Sequence, residues 1–410
     1  IGTTTPESRL QVVGNITNTA SSQFNPTEIG GFDIPSGVGS GLGHSISISG
    51  NYAYILGGND ITGTGCSSTD SSLCEFFIFD VSTSSPTFVN GMDLGTTANG
   101  IYVSGRYAYV VKQNTGITED FIIYDVSNPS AIATTSGVDL GANGSDVYVT
   151  GRYAYVTTAS VAGNDFRIFD ISNPASPMVV GGIDLGTDGY QISISGRYAY
   201  IITQMISGNE FKILDISNPT NPVEIGGVDL GARGLGIDVS GRYAYVVKDN
   251  TGFTEDFIIY DISNPASIAT TSGVDLGANG VSVSVSGRYA YVVSSSFGAN
   301  EFQVFDISNP ASLVVVGGVN FADNGTSVFV SGKRAYAGTI GISGNEFKVF
   351  SLNGLETTSA IVHSLEAGNL QVRNDIITQG QLQVGGGVNI GSGGIFSAGP
   401  LSVSIASSTQ

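Results

Sequence analysis

The chain has 410 residues, 58 of them glycine, and its 34 Asp and Glu against 15 Lys and Arg give a net charge of −19. Such an acidic surface repels phosphate backbones and anionic membranes, so we do not expect a nucleic-acid-binding protein. The sequence has no run of 18 apolar residues, so we expect no segment that spans a bilayer.

The first predicted element is an N-terminal β extension over residues 1–25. Its apolar residues Leu10, Val12 and Ile16 alternate with polar ones, as in a short strand. The chain begins at Ile1, without Met and without a signal peptide, which predicts a processed protein or a piece of a longer one.

Residues 26–352 contain a repeat with a period of about 45 residues. A Gly-Arg-Tyr-Ala-Tyr motif or a close variant begins at Gly50, Gly105, Gly151, Gly196, Gly241, Gly287 and Gly332. A run in which apolar and small or polar residues alternate precedes each motif, and the motif continues into an apolar run. Two more strand patterns follow, as in residues 166–171 and 182–185. A fixed period of this length built from strands predicts an all-β fold, a seven-bladed β-propeller with four strands in each blade.

The positions of the repeats also predict how the ring closes. A copy of the fourth strand, Gly31-Phe32-Asp33, precedes the first motif, and the last repeat ends after residues 347–350 without a fourth strand. We therefore expect the N-terminal strand to pair with the strand around Phe347 and Val349, which closes the circle and leaves no sheet edge for the terminal segments.

Repeats such as residues 103–110, followed by Ile123-Tyr124-Asp125-Val126-Ser127-Asn128-Pro129, resemble the LVIVD repeat family. The resemblance covers roughly residues 26–352 and implies a propeller of a prokaryotic surface or secreted protein. The last copy departs from the pattern, because Ser351 replaces the Asp and no Asn-Pro follows. The resemblance implies a fold and carries no catalytic residues.

The only two cysteines, Cys66 and Cys74, lie close together in an insertion found in the first repeat alone. This arrangement predicts a local disulfide and hence an oxidising, extracellular compartment. The alternative is a metal site, but neither a further Cys nor a nearby His completes a set of four ligands.

Charged residues recur at fixed positions on the two faces of the predicted ring. We expect the Arg of each Gly-Arg turn to pair with the Asp of an Asp-x-Ser-Asn-Pro turn, and that Asp to cap its turn; the alternative is a basic ring that binds an anion. The paired residues are Arg106, Arg152, Arg197, Arg242 and Arg288, with Asp125, Asp170, Asp215, Asp261 and Asp306.

The opposite face is expected to be acidic and solvated, with a Ca²⁺ or glycan site as the weaker alternative. Its carboxylates are Glu119, Asp120, Asp139, Asp165, Asp184, Asp188, Glu210, Asp229, Glu255, Asp256 and Asp275.

The sequence gives little support for catalysis. The two histidines, His44 and His363, are not flanked by a nucleophile motif, and the chain has no Trp to offer a sugar platform. Asp238 breaks the repeat, because the other blades carry Ser, Tyr or Phe at that strand position. One such acid is weak support for a glycosidase, which uses a pair of carboxylates. We therefore expect no enzyme, no catalytic or metal-binding residue and no cofactor.

The last predicted element is a C-terminal β-rich segment over residues 353–410. Its short strands, with Gly turns between them, contain Leu370, Val372, Ile376, Leu382 and Val384. They resemble the stalk strands of phage tail fibres and large bacterial surface proteins. Short strands cannot form a core alone, so we expect both terminal segments to assemble with other copies of the chain or with a fibre shaft; flexible linkers are the alternative.

These observations predict an extracellular structural protein, a propeller displayed on or built into a surface fibre or filament. The alternative is a lectin-like or adhesive binding propeller on a cell or phage surface.

Overall fold

A computed structural model of the chain describes residues 26–33, 42–57, 66, 74–116, 118–159, 163–204, 208–250, 252, 255–295, 300–340 and 345–352. The regular elements of these residues are all β-strands, in seven antiparallel four-stranded sheets. Within the same ranges, no helix has the length and apolar character needed to cross a membrane. The sheets are the blades of a seven-bladed β-propeller, as the repeat predicts.

The first strand of the chain, Thr27–Phe32 (β1), belongs to the last blade, and the other strands follow in order from the channel outwards. Blade one contains Leu42–Ser49 (β2), Tyr52–Gly57 (β3), Phe76–Asp80 (β4) and Thr87–Met92 (β5); blade two contains Ala98–Ser104 (β6), Tyr107–Lys112 (β7), Phe121–Asp125 (β8) and Ala133–Val138 (β9). Blade three contains Asn143–Thr150 (β10), Tyr153–Ala159 (β11), Phe166–Asp170 (β12) and Met178–Ile183 (β13); blade four contains Gly189–Ser195 (β14), Tyr198–Thr203 (β15), Phe211–Asp215 (β16) and Val223–Val228 (β17). Blade five contains Gly234–Ser240 (β18), Tyr243–Lys248 (β19), Phe257–Asp261 (β20) and Ala269–Val274 (β21); blade six contains Asn279–Ser286 (β22), Tyr289–Ser295 (β23), Phe302–Asp306 (β24) and Val314–Val319 (β25). Blade seven contains Asn324–Ser331 (β26), Arg334–Ile340 (β27), Phe347–Ser351 (β28) and β1.

The hydrophobic core lies between the blades. The second and third strands are apolar on both faces because each blade packs against two neighbours. Between blades three and four, for example, Phe166 and Ile168 pack against Ile194 and Ile201. Fully buried phenylalanines of the third strands recur around the ring, and their burial is the main stabilising contribution of each interface.

Ring closure by the N-terminal strand is confirmed. β1 pairs antiparallel with β28, so that Gly31 lies opposite Lys348 and Phe32 opposite Phe347. The ring of Phe32 lies 4.7 Å from that of Phe79 in blade one. Arg334 of blade seven also donates to the carbonyl oxygen of Thr83 in blade one, at 2.8 Å.

The expectation that closure leaves no sheet edge is wrong. In each blade the outermost strand has a hydrogen-bonded neighbour on its inner side only, as far as the structure describes the chain. The reason is geometric, since closing the circle completes a blade without covering its rim. Exposed apolar side chains lie on these strands in blades three, four and six: Met178, Val179, Val223, Val314 and Val315.

The ring has two distinct faces. The turn face carries the Gly-Arg turns and the Asn-Pro turns, and the loop face carries the connections between second and third strands and between successive blades. Thr27 lies opposite Ser351 in the closing pair. The described chain therefore enters and leaves the ring at one point, on the rim of blade seven and at the turn face.

Candidate functional site

The turn face is lined by Arg–Asp pairs, as predicted. Arg106 donates from Nη2 to Asp125, and the same pair recurs in blades three to six. The guanidinium also lies 5.2 Å from the ring centre of Tyr107. Asp125 Oδ1 accepts the Ser127 amide at 3.0 Å, which confirms the predicted cap. The hydrogen bond from Arg106 holds the pKa of Asp125 well below its usual range. Pairing within each blade disfavours the alternative of a ring that binds an anion.

The expectation of a fully solvated acidic face is wrong for one carboxylate in each of blades two to five. Asp120, Asp165, Glu210 and Asp256 are at most 2% exposed. They are buried because each accepts the backbone amide of the loop that leads to the next blade, as Asp165 accepts that of Leu185 at 3.1 Å. Burial raises the pKa of Asp165 to about 6. The other acidic residues of this face, including Glu119, Asp139 and Glu255, lie on its solvent side.

Asp238, which breaks the repeat, lines the central channel and has a structural partner. Its Oδ1 accepts its neighbour's amide, Val239 N, at 2.7 Å, and its Oδ2 accepts Val285 N of the next blade, also at 2.7 Å. The inner strand of a blade presents unpaired amides to the channel, and this carboxylate satisfies one of them. Ser47 does the same for Val103 N at 3.1 Å. Burial in the channel raises the pKa of Asp238 to about 6.

A second channel carboxylate, Asp146, was missed in the sequence. It accepts Val147 N at 2.8 Å and Ile192 N of the next blade at 3.1 Å, and burial raises its pKa to about 7. It could have been found by aligning the inner strands, because the equivalent positions hold only Ser, Gly or Gln.

The two carboxylates share the wall of the channel, but only Asp146 also borders its loop-face mouth. Asp238 lines its middle, whose wall also contains Tyr102 and Tyr148 with ring centres 4.7 Å apart. Asp146 reaches the mouth at the loop face, where a polar cavity of about 200 Å³ is bounded by Asn99, Tyr190 and Gln191. The cavity, with Asp146 in its wall, makes the loop-face mouth of the channel the candidate site.

The cysteine pair is placed as the sequence predicts. The sulfur atoms of Cys66 and Cys74 lie 2.04 Å apart, and Cys74 is fully buried beside the core between blades seven and one. In the described ranges no group of three or more His, Cys, Asp or Glu is arranged to hold a metal ion. His363 lies outside the described residues, and the side chain of His44 does too.

The predicted assembly residues also lie outside the described residues: Leu10, Val12, Ile16, Leu370, Val372, Ile376, Leu382 and Val384.

Comparison with solved structures shows the propeller fold alone, because the similar structures described below are at most 15% identical to this chain. A catalytically inactive virginiamycin B lyase from Staphylococcus aureus with quinupristin is 11% identical, with a TM-score of 0.57 over 81% of this chain and 100% of that one. The Cps50 (Swd1) propeller domain of Myceliophteria thermophila is 14% identical, with a TM-score of 0.55 over 80% and 100%. Hydrazine synthase from Kuenenia stuttgartiensis is 15% identical, with a TM-score of 0.53 over 82% and 99%. No curated protein matches the chain.

The LVIVD repeat model matches six segments of the chain: residues 40–62, 95–139, 141–184, 187–230, 235–275 and 278–320. These segments make up more than half of the chain and fall on blades one to six and the connections between them. The model does not match blade seven, whose last copy departs from the repeat at Ser351. The chain belongs to the LVIVD repeat family.

Proposed function

We propose that this protein is an extracellular structural component, a rigid propeller carried on a surface fibre or filament and assembled through its terminal strands. The observation that carries the proposal is the pairing of Thr27 with Ser351, which brings the entry and exit of the ring together. A domain whose two connections lie side by side fits into a shaft as an insertion, without interrupting it.

The rim of the ring supports assembly through added strands. Its outermost strands have an edge that bonds to no other described strand, and Val223, Val314 and Val315 expose apolar surface there. A short strand from another copy, with alternating apolar residues, would bond to such an edge and cover that surface. The terminal segments, with Leu10, Val12, Leu370 and Val372, have the required alternation.

An extracellular location is part of the same proposal. The Cys66–Cys74 disulfide supports it, since such bonds persist in oxidising compartments. Free thiols at both positions in protein from its native source would contradict it.

The proposal is tested by negative-stain imaging of the intact chain and of Val372→Asp, with Ser130→Asp as the matched control. Ser130 is exposed on a turn of blade two, so the control adds the same charge to the ring. We expect filaments or fibres from the intact chain and the control, and separate rings from Val372→Asp. Separate rings from all three proteins would overturn the proposal.

A lectin-like or adhesive propeller is the second candidate function. It is favoured by the polar cavity at the loop face, because the ring's connections at Thr27 and Ser351 leave from the turn face. A ring mounted in this way presents the mouth of its channel outwards.

A further inference from the structure

The loop-face cavity has the size and the lining of a small-ligand site. Its volume of about 200 Å³ is below the range of about 300–1,000 Å³ that holds drug-sized ligands. It lies at the mouth of the channel between blades two, three and four, and Asp146, Tyr190 and Gln191 form part of its wall. The volume suits one small ring-shaped molecule.

The seven-fold repeat is kept in the core of the ring but not at its loop-face mouth. The alanine in the second strand is the same residue in all seven blades, for example Ala108 and Ala154. By contrast, the inner-strand position next to the mouth carries seven different residues: His44, Asn99, Ser145, Tyr190, Leu235, Val281 and Thr326. Three of these residues, Asn99, Ser145 and Tyr190, line the cavity, so its wall differs from the equivalent wall of the other blades.

The polar atoms of the cavity form a mixed set of donors and acceptors. Asn99 donates from Nδ2 to Gly144 O at 2.7 Å, and Gln191 accepts Ile237 N on Oε1 at 2.7 Å. Among bonds between described residues, each amide therefore keeps its other polar atom for a ligand, an acceptor on Asn99 and a donor on Gln191. A hydroxyl group both donates and accepts, so it matches such a pair.

The charge of the cavity favours a neutral ligand. Among the described residues that bound it, Asp146 is the one carboxylic acid and there is no Lys or Arg to pair with an anion. Its two oxygens are held in place by backbone amides, which fixes acceptor lone pairs at the cavity. The nearby cation Arg233 is paired with Asp249 at 2.6 Å.

We propose that the loop-face cavity binds a single neutral sugar ring through Asp146, Asn99 and Gln191, with Tyr190 as its aromatic wall. This inference rests on the second candidate function and is independent of filament formation. The sugar is either a free monosaccharide or the terminal unit of a glycan, which offer the same hydroxyl chemistry.

The test uses the intact chain with two probe sets, free hexoses and N-acetylhexosamines in saturation-transfer NMR, and an array of immobilised glycans. The variants are Asp146→Asn and Tyr190→Ala. The matched control is Asp238→Asn, because Asp238 makes the same two kinds of backbone hydrogen bond but lines the middle of the channel. Thermal melting of each variant shows that it is folded.

We expect at least one probe to bind the intact chain, and Asp146→Asn to weaken that binding about tenfold, as the loss of a buried hydrogen-bond acceptor does. Tyr190→Ala should also weaken it, and Asp238→Asn should leave it unchanged. Binding in solution identifies a free sugar, and binding on the array alone identifies a glycan end.

Two results would overturn the proposal in distinguishable ways. If probes bind but Asp146→Asn and Tyr190→Ala bind as well as the intact chain, the lectin-like function stands and the cavity is not its site. If neither probe set binds, both the site and the lectin-like function are wrong.

Discussion

At the scale of single residues, the repeat makes equivalent positions into internal controls. The turn before each of blades two to seven has an Asp or Asn whose side chain accepts the amide two residues later, as Asp275 accepts Gly277 N at 2.7 Å. That later residue has a positive φ in six connections, and it is Gly in five of them. The exception is Ala322, with a φ of 58°.

We expect Ala322→Gly to stabilise the protein by about 1 kcal/mol, because it removes the clash that a Cβ makes in the left-handed region. Gly277→Ala should destabilise it by about the same amount, since Gly277 has a φ of 73° and open space around it. Urea denaturation of both variants measures the two effects. Shifts of the same sign would contradict this account of the turn.

The buried carboxylates of the loop face predict an unusual pH dependence. Burial raises the pKa of Asp120, Asp165 and Asp256 to about 6 each, from 3.8. A raised pKa means that the folded protein binds the proton more tightly, so the stabilisation is complete below pH 3.8 and is lost as the pH rises through about 6. The free energy of unfolding should therefore increase as the pH is lowered from about 7 to 5.

The Arg–Asp pairs act in the opposite direction but at lower pH. The pKa of Asp125 and of Asp170 is lowered, chiefly by the hydrogen bond from the paired arginine, so their contribution falls only below pH 3.8. Urea denaturation at several pH values measures both effects, and Asn in place of Asp120, Asp165 and Asp256 should flatten the slope between pH 5 and 7. Stability that decreases from pH 7 to 5 would contradict the burial argument.

At the scale of strands and blades, most of the fold could be predicted because each pattern has a local cause. The third strand is apolar on both faces, as at Phe166 and Phe169, since it is buried between blades. The closing strand could be predicted because the last repeat lacks the pattern of a fourth strand, and that pattern is present at Gly31, before the first repeat.

The candidate site could be predicted only in part, because its chemistry depends on neighbours in the ring. In the sequence Asp120 looks like a solvated acid. In the structure its carboxylate is buried and accepts hydrogen bonds from Asn114 Nδ2 at 2.8 Å and from the Leu140 amide at 3.3 Å. An alignment of the inner strands could have found Asp146, but its hydrogen bond from Ile192 N in another blade was not predictable. Asp238 stood out in sequence, but the amide that it satisfies was not predictable.

Ring closure predicts a local response to Phe32→Ala. The side chain is half-buried against Phe79 and Phe88, so its truncation should cost about 2–3 kcal/mol, less than the full penalty of a buried phenylalanine. Hydrogen exchange should accelerate in β28 and leave blade four protected. Thr27→Ala, at an exposed position on the same strand, is the control. Equal acceleration of hydrogen exchange in all seven blades would contradict a local role of β1 in ring closure.

At the scale of the whole molecule, a closed ring with both connections at the rim of blade seven explains how the protein would join a larger structure. The blades bury their apolar surface against each other, and Thr27 and Ser351 set one attachment point. The net charge of −19 disfavours contact between ring faces, so the proposed association would use strand edges and terminal segments.

The most direct test of assembly through the terminal segments is the molar mass in solution, measured by light scattering. The intact chain and a chain without residues 366–410 are compared over a range of concentrations. We predict large assemblies of the intact chain and a folded monomer for the shortened one. An intact chain that stays at its monomer mass of 42.1 kDa at high concentration would contradict the structural role.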